Sequence, residues 1–219
     1  MKILYAILAK AGEKGGTWFL AKKFLSLERW VVMKRDIENP ILELQMEGCY
    51  QVRTAKAEDL HLFEELSKTV YVDVESFAKR LRSGQTCYIA LDRGKIIYFV
   101  WVSSYGVPKN VTSHFVKLKP REVYMYHALC LPEYRRKRIH SSVMTIRLKD
   151  LQKKSFEKAY VDTQINNVPQ VKTLLKHGFV PYKVALVLTL AGRTFYFALK
   201  QGNLLRKFAD GRVTPYSGL

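Results

Sequence analysis

The chain has 219 residues, 37 of them Lys or Arg and 19 Asp or Glu, for a formal net charge of +18. With 48% hydrophobic and 12% aromatic residues it can bury a sizeable core, which excludes wholesale disorder. No run of about 18 apolar residues is present, so a simple membrane-spanning helix is excluded as well.

The N-terminal stretch MKILYAILAKAGEKGG is interrupted by Lys10 and lacks a convincing cleavage site, which argues against a signal peptide. Residues 2–11 can form a short helix, broken by Gly12, Gly15 and Gly16. Thr17 can cap a second helix running through Leu20, Phe24, Leu27 and Val31 at spacings of three and four. Lys22, Lys23 and Arg29 make that helix basic and amphipathic, suited to packing on its own domain or to lying on an anionic membrane surface. Asn39-Pro40 is a turn signal, and the alternation in 41–45 predicts a short strand. Residues 1–48 thus read as an N-terminal extension.

From Cys49 the pattern becomes regular. Residues 50–55 alternate as a strand, and 57–70 and 74–81 read as helices. Strands 86–91 and 96–103 flank Asp92-Arg93-Gly94-Lys95, a hairpin by its turn residues. Residues 107–120 are loop-like. The run 123–131 (VYMYHALCL) predicts a strand buried on both faces, followed by a helix over 139–151. A strand over 159–165, a helix over 168–176 ended by Gly178, and strands over 182–190 and 194–199 complete the order. The expected fold is α/β, a mixed central sheet with flanking helices over 49–200, with residues 201–219 as a tail.

The charge is uneven. Residues 1–48 carry eight basic and six acidic side chains, whereas Lys117 to Lys154 holds eleven basic and three acidic. That segment contains Leu131-Pro132-Glu133-Tyr134-Arg135-Arg136-Lys137-Arg138-Ile139-His140-Ser141-Ser142, where a strand ends, a basic turn follows and a helix begins. Such a junction aims unpaired backbone N–H groups and the positive end of the helix dipole at an anion beyond the strand. The bland alternative is a basic turn facing water.

This block resembles the acetyl-CoA loop of the GNAT N-acetyltransferase superfamily, whose signature is Gln/Arg-x-x-Gly-x-Gly/Ala after a strand. Arg135 takes the first signature position, and Arg138 and His140 stand where the glycines are expected. Arg136 also fills a position that is often Gly. A second stretch, from Asn167 through Thr173-Leu174-Leu175-Lys176-His177-Gly178-Phe179, is similar to the family's Asn…Gly-Phe helix, with Leu174 where many members have Tyr. The resemblance covers about residues 50–200.

It implies an acyl-CoA-dependent N-acyltransferase, most simply an acetyltransferase. Acetyl-CoA would be the co-substrate, bound by Cys130, Leu131, Arg135, Arg136, Lys137, Arg138, Ile139, His140, Ser141 and Asn167. With arginines in place of glycines, backbone N–H groups serve a pyrophosphate only if the loop avoids positive φ. The leaving thiolate has no acid at Leu174. Candidates for proton transfer near the preceding strand are His127 and Tyr126, with Glu122 weaker. Strict alternation places His127 with Met125 and Leu129, and Tyr126 with Tyr124 and Ala128. Ser141-Ser142 reads as capping, Cys130 as structural, and no His set has metal-ligand spacing.

The resemblance implies an amine acceptor, and the basic surface favours an anionic one. The three cysteines share no metal-like spacing and point to a reduced, cytoplasmic compartment, and the N-terminal segment would suit a peripheral role at the inner face of a membrane. The competing class is a catalytically degenerate module of the same fold that binds a polyanion. Against nucleic acid stands the lack of a helix-turn-helix or recognisable RNA-binding motif.

Overall fold

The computed structural model describes residues 25–44, 46–106, 115–190 and 193–199. Its strands are β1 (Leu25–Asp36), β2 (Gln51–Thr54), β3 (Thr86–Asp92), β4 (Lys95–Ser103), β5 (Glu122–Cys130), β6 (Lys158–Gln164), β7 (Val180–Leu190) and β8 (Arg193–Leu199). The helices are α1 (Leu60–Ser67), α2 (Val74–Arg82), α3 (Ile139–Lys153) and α4 (Val168–Lys176). One eight-stranded sheet runs β2-β3-β4-β5-β6-β1-β7-β8, antiparallel except for the parallel β5–β6 pair. The expected mixed sheet with flanking helices is the fold observed. The expected helix over 2–11, the 17–24 part of the second expected helix, the 107–114 part of the loop and the tail lie outside the described residues.

The largest correction concerns the N-terminal segment. The helix expected to run to Val31 is, from Leu25, a strand, and it sits inside the sheet. β1 pairs with β6 (Val31↔Thr163, Met33↔Val161) and with β7 (Val31↔Val184, Val32↔Lys183). The physical reason lies in the unbroken run Trp30-Val31-Val32-Met33. Its two valines are stiff at χ1, and consecutive apolar residues are what a strand covered on both faces requires. Val31, Val32 and Met33 are all buried. The chain from residue 38 to 44 is irregular, not the short strand expected, and it crosses α3, where the Thr145 hydroxyl donates to the Leu42 carbonyl at 2.7 Å.

Alternation along the strands divides the core in two. Val31, Met33, Val123 and Met125 pack with Val143, Leu148, Leu174 and Phe179 under α3 and α4. Val32, Tyr124 and Tyr126 pack with Phe63, Phe77, Phe99 and Trp101 under α1 and α2. Between β3 and β4 the turn residues Arg93 and Gly94 have φ of 48° and 78°, as a type I′ hairpin demands.

Gly178 closes α4 with φ 76°, and a Cβ there would collide with the Arg35 guanidinium. Arg35, buried on β1, donates to the carbonyls of His177, Asn39 and Pro40. It therefore ties the central strand to the end of α4, and the glycine is what lets it approach.

Candidate functional site

The site follows from a parting of strands. β6 pairs with β5 only from Glu122↔Lys158 to Met125↔Val161, so past Met125 that edge of β5 has no strand partner among the described residues. A cavity of about 850 Å³ opens there, within the range usual for small-molecule sites. Its walls are Ala128–Cys130 on β5, the loop from Tyr134 to Ser141, and the first turns of α4 from Asn167 to Thr173. The N-terminal turns of both α3 and α4 face it, so two helix dipoles place partial positive charge on the same space.

Of the ten residues expected to bind cofactor, Cys130, Arg135, Arg136, Arg138, Ile139, His140, Ser141 and Asn167 line this cavity. The other two lie off it. Leu131 packs into the second core cluster, and the Lys137 ammonium sits 4.9 Å from the centre of the Tyr134 ring. The loop is tied down at several points. The Tyr134 hydroxyl donates to Asp92 at 2.8 Å, Arg135 Nε donates to the Cys130 carbonyl at 3.3 Å, and Arg138 Nε lies 3.2 Å from the Glu47 carboxylate.

Its conformation differs from the one expected. Arg136 and Arg138 adopt φ of 65° and 58°, the left-handed region that the missing glycines would enter without strain. Arg138 is the N-cap of α3 and offers no side-chain acceptor, so the helix's first N–H groups stay open to the cavity. Ser141 and Ser142 lie inside the helix rather than capping it. Asn167 is a cap: its side-chain oxygen accepts from Gln170 N–H at 3.4 Å, which leaves its amide NH₂ for a ligand.

Below the cavity floor lies a buried basic cluster. His140 Nδ1 is 2.8 Å from the Tyr98 hydroxyl, and burial, aided by Arg147 and His177, lowers its pKa to about 3. Burial also lowers His177 to about 4, with Arg147, Arg35 and Lys176 adding to the effect. Arg147 is 1% exposed, touches Met144 Sδ at 2.7 Å, and leaves Nε and Nη1 without partners among the described residues. Burial pushes its pKa down.

Where β5 leaves β6 the strand is bulged. Its register with β4 shifts between Phe99 and Trp101, so that Trp101 faces Tyr126 and Phe99 faces Leu129, and His127 takes φ 50°. The inserted residue overturns strict alternation. His127 turns to the α2 side with Tyr126, where its ring meets Phe77 and Phe99 edge-on. His127 Nδ1 is 2.9 Å from Arg80 Nη1, and although the residue as a whole is exposed, desolvation of its ring against Phe77 and Phe99, then Arg80, lowers its pKa to about 4. The Tyr126 hydroxyl donates to Gln85 Oε1, and burial pushes its pKa up to about 12. Glu122 stands at the opposite end of β5, where it accepts from the Lys119 backbone N–H and the Tyr160 hydroxyl, away from the cavity. Leu174 is fully buried in the first core cluster. Sequence reasoning missed Arg80, whose only signal was its place on a helix of basic, solvent-facing character.

A family model described as acetyltransferase (GNAT) family matches residues 46–179. Among solved structures, the chain is similar to an acetyltransferase of the GNAT family from Colwellia psychrerythraea, at 13% identity and a TM-score of 0.55 over 74% of this chain. It is also similar to a GCN5-related N-acetyltransferase from Sphaerobacter thermophilus, at 10% identity and a TM-score of 0.57 over 84% of this chain. At such identity the likeness is one of fold, and this chain spans 56% of the length of each of those structures. No curated protein matches the sequence.

Proposed function

The chain belongs to the acetyltransferase (GNAT) family, and from that premise we propose that it transfers an acyl group, most simply acetyl, from acyl-CoA to the amine of an acceptor. The observation that supports this best is the cavity at the parted strands, because its parts match the parts of the ligand. The unpaired edge of β5 at Ala128–Cys130 offers backbone donors and acceptors to the amides of the pantetheine arm. The open N–H groups at the start of α3, with Arg135, Arg136 and Arg138 around them, suit a pyrophosphate.

The reaction needs no covalent enzyme intermediate. The amine lone pair attacks the acyl carbon, a C–N bond forms, and the tetrahedral intermediate collapses as the C–S bond breaks. The amine nitrogen loses its proton to water, and the thiolate takes one up from solvent, since Leu174 has none to give. Positioning and N–H donation to the oxyanion supply the rate enhancement. We assign the donor role to the bulge. Arg80 cannot accept, so His127 Nδ1 accepts from it and Nε2 carries the proton. His127 is then an N–H donor in place of the general base expected from sequence, and Tyr126, bound to Gln85, holds the bulge in position.

Calorimetry with acetyl-CoA tests the reading. Wild type binds, and the double variant Arg136→Glu/Arg138→Glu loses most of the affinity. Undetectable binding of wild type at millimolar ligand would sink the proposal. Among the described residues no helix is long and apolar enough to cross a membrane. A cytoplasmic location is proposed on the cysteine pattern alone; the amphipathic helix that suggested a membrane-surface role is, from Leu25, a strand inside the sheet.

A further inference from the structure

On the α2 side of the bulge the Arg80 guanidinium has no counter-ion among the described residues. The Arg80 guanidinium carbon lies 5.2 Å from the ring centre of Phe77, 5.3 Å from that of Trp101 and 5.2 Å from that of Tyr126. Three aromatic faces hold the charge in place and strip part of its water. Its hydrogen-bond neighbour is a neutral imidazole, that of His127. No carboxylate pairs with Arg80 among the described residues, whereas Arg53, on β2, has a bidentate partner in Asp59 at 2.6 Å. A partly desolvated cation held this rigidly attracts an anion and repels an ammonium.

Position gives the charge its meaning. His127 and Ala128 are exposed at the point where β5 leaves β6, so the cofactor cavity meets the α2 side there. An acyl carbon held at the Ala128 end of the cavity would lie next to His127, which Arg80 contacts at 2.9 Å. We propose that Arg80 recognises the acceptor: an amine that also carries a carboxylate or phosphate, whose anionic group pairs with Arg80 while its nitrogen faces the acyl carbon. The inference rests on the acyltransferase reading above. Pairing the anion leaves the nitrogen as the free end. Before the anion docks, the fixed cation raises the cost of carrying an ammonium into the site, so the amine arrives more readily in its neutral, nucleophilic form.

The test uses the full chain, acetyl-CoA and four amines of matched length: γ-aminobutyrate, phosphoethanolamine, n-butylamine and putrescine. Thiol release is followed for wild type, Arg80→Gln and Arg80→Lys. The anionic amines should exceed n-butylamine by about tenfold or more in kcat/KM, the size of one charge-assisted hydrogen bond. Arg80→Gln should erase that preference, bringing kcat/KM for the anionic amines down to that of n-butylamine beyond any fall in kcat shared by all four amines through the lost hydrogen bond to His127, and Arg80→Lys should retain part of it. A merely structural arginine would lower both constants for every amine alike. Equal or better use of n-butylamine or putrescine by wild type overturns the proposal, as does an unchanged preference in Arg80→Gln. Where no amine turns over, the His127 ring nitrogen shifts are titrated with the two anionic amines, with and without acetyl-CoA. A response in wild type that vanishes in Arg80→Gln supports the assignment, and no response at millimolar ligand overturns it. Failure of the acyltransferase reading shows separately, as absent acetyl-CoA binding.

Discussion

Replacing Arg138 by glycine and by alanine isolates the strain held in the loop. Both variants lose the guanidinium and its exposed contact with Glu47, so those effects cancel in the comparison. The difference that remains is backbone. Alanine at φ 58° carries a left-handed penalty of about 1–2 kcal/mol, while glycine gives back about 0.5–1 kcal/mol through the entropy of its unfolded chain. Position 138 is also the N-cap of α3, where glycine is preferred over alanine. Arg138→Gly should therefore be more stable than Arg138→Ala by about 1 kcal/mol, or about 2–4 °C in midpoint for a chain of this size. Urea and thermal unfolding of the pair measure it. Equal stability, or a more stable alanine variant, would refute the argument that arginine occupies a position shaped for glycine. Calorimetry on the same pair adds a second reading, because the charge lost is identical. Tighter acetyl-CoA binding by the glycine variant would report closer backbone approach to phosphate.

Two further predictions concern the basic cluster beneath the cavity. His177 has a folded pKa depressed to about 4, so between there and its ordinary value the unfolded chain binds the proton that the folded one refuses. Stability is complete above the ordinary histidine range and falls as pH drops, by about 1 kcal/mol per buried histidine from pH 6.5 to 5.5. His177→Gln should flatten that slope in urea unfolding at the two pH values, and an unchanged slope counts against it. Arg147→Met removes a buried charge with two unpaired nitrogens and should stabilise the fold by about 1 kcal/mol or more. It should also raise the titration midpoints of His140 and His177, read by NMR. A destabilised variant would mean that Arg147 has an anionic partner after all.

Most elements from residue 50 onward were readable from sequence because local chemistry and burial agree there. The β3–β4 hairpin is written in Asp92-Arg93-Gly94-Lys95, and α4 in Asn167 as cap and Gly178 as stop. The cavity walls were readable too, since loop and helix start are contiguous in the chain. β1 was misread because Leu27 and Val31 fit a helical period while Trp30–Met33 fits a buried strand, and the choice is made by partners distant in sequence. The bulge at His127 has no compositional mark, yet it reverses which face each later side chain takes. Arg80 was hidden for a related reason. An arginine on an amphipathic helix reads as a solvated face until the sheet brings Trp101 and Tyr126 up beside the helix's own Phe77.

The place of β1 has a consequence for how the chain is made. Met33 lies between Val161 and Pro181, so β1 is synthesised before either of the strands it pairs with, and it waits for β7 before both its edges are paired. Until then Trp30–Met33 is an apolar segment with open backbone on both sides, a template for wrong pairing. Its contacts close very long loops, which marks sheet closure as the slow step of folding. Ribosome-bound intermediates that stop short of residue 180 would then depend on a chaperone to shield this one segment.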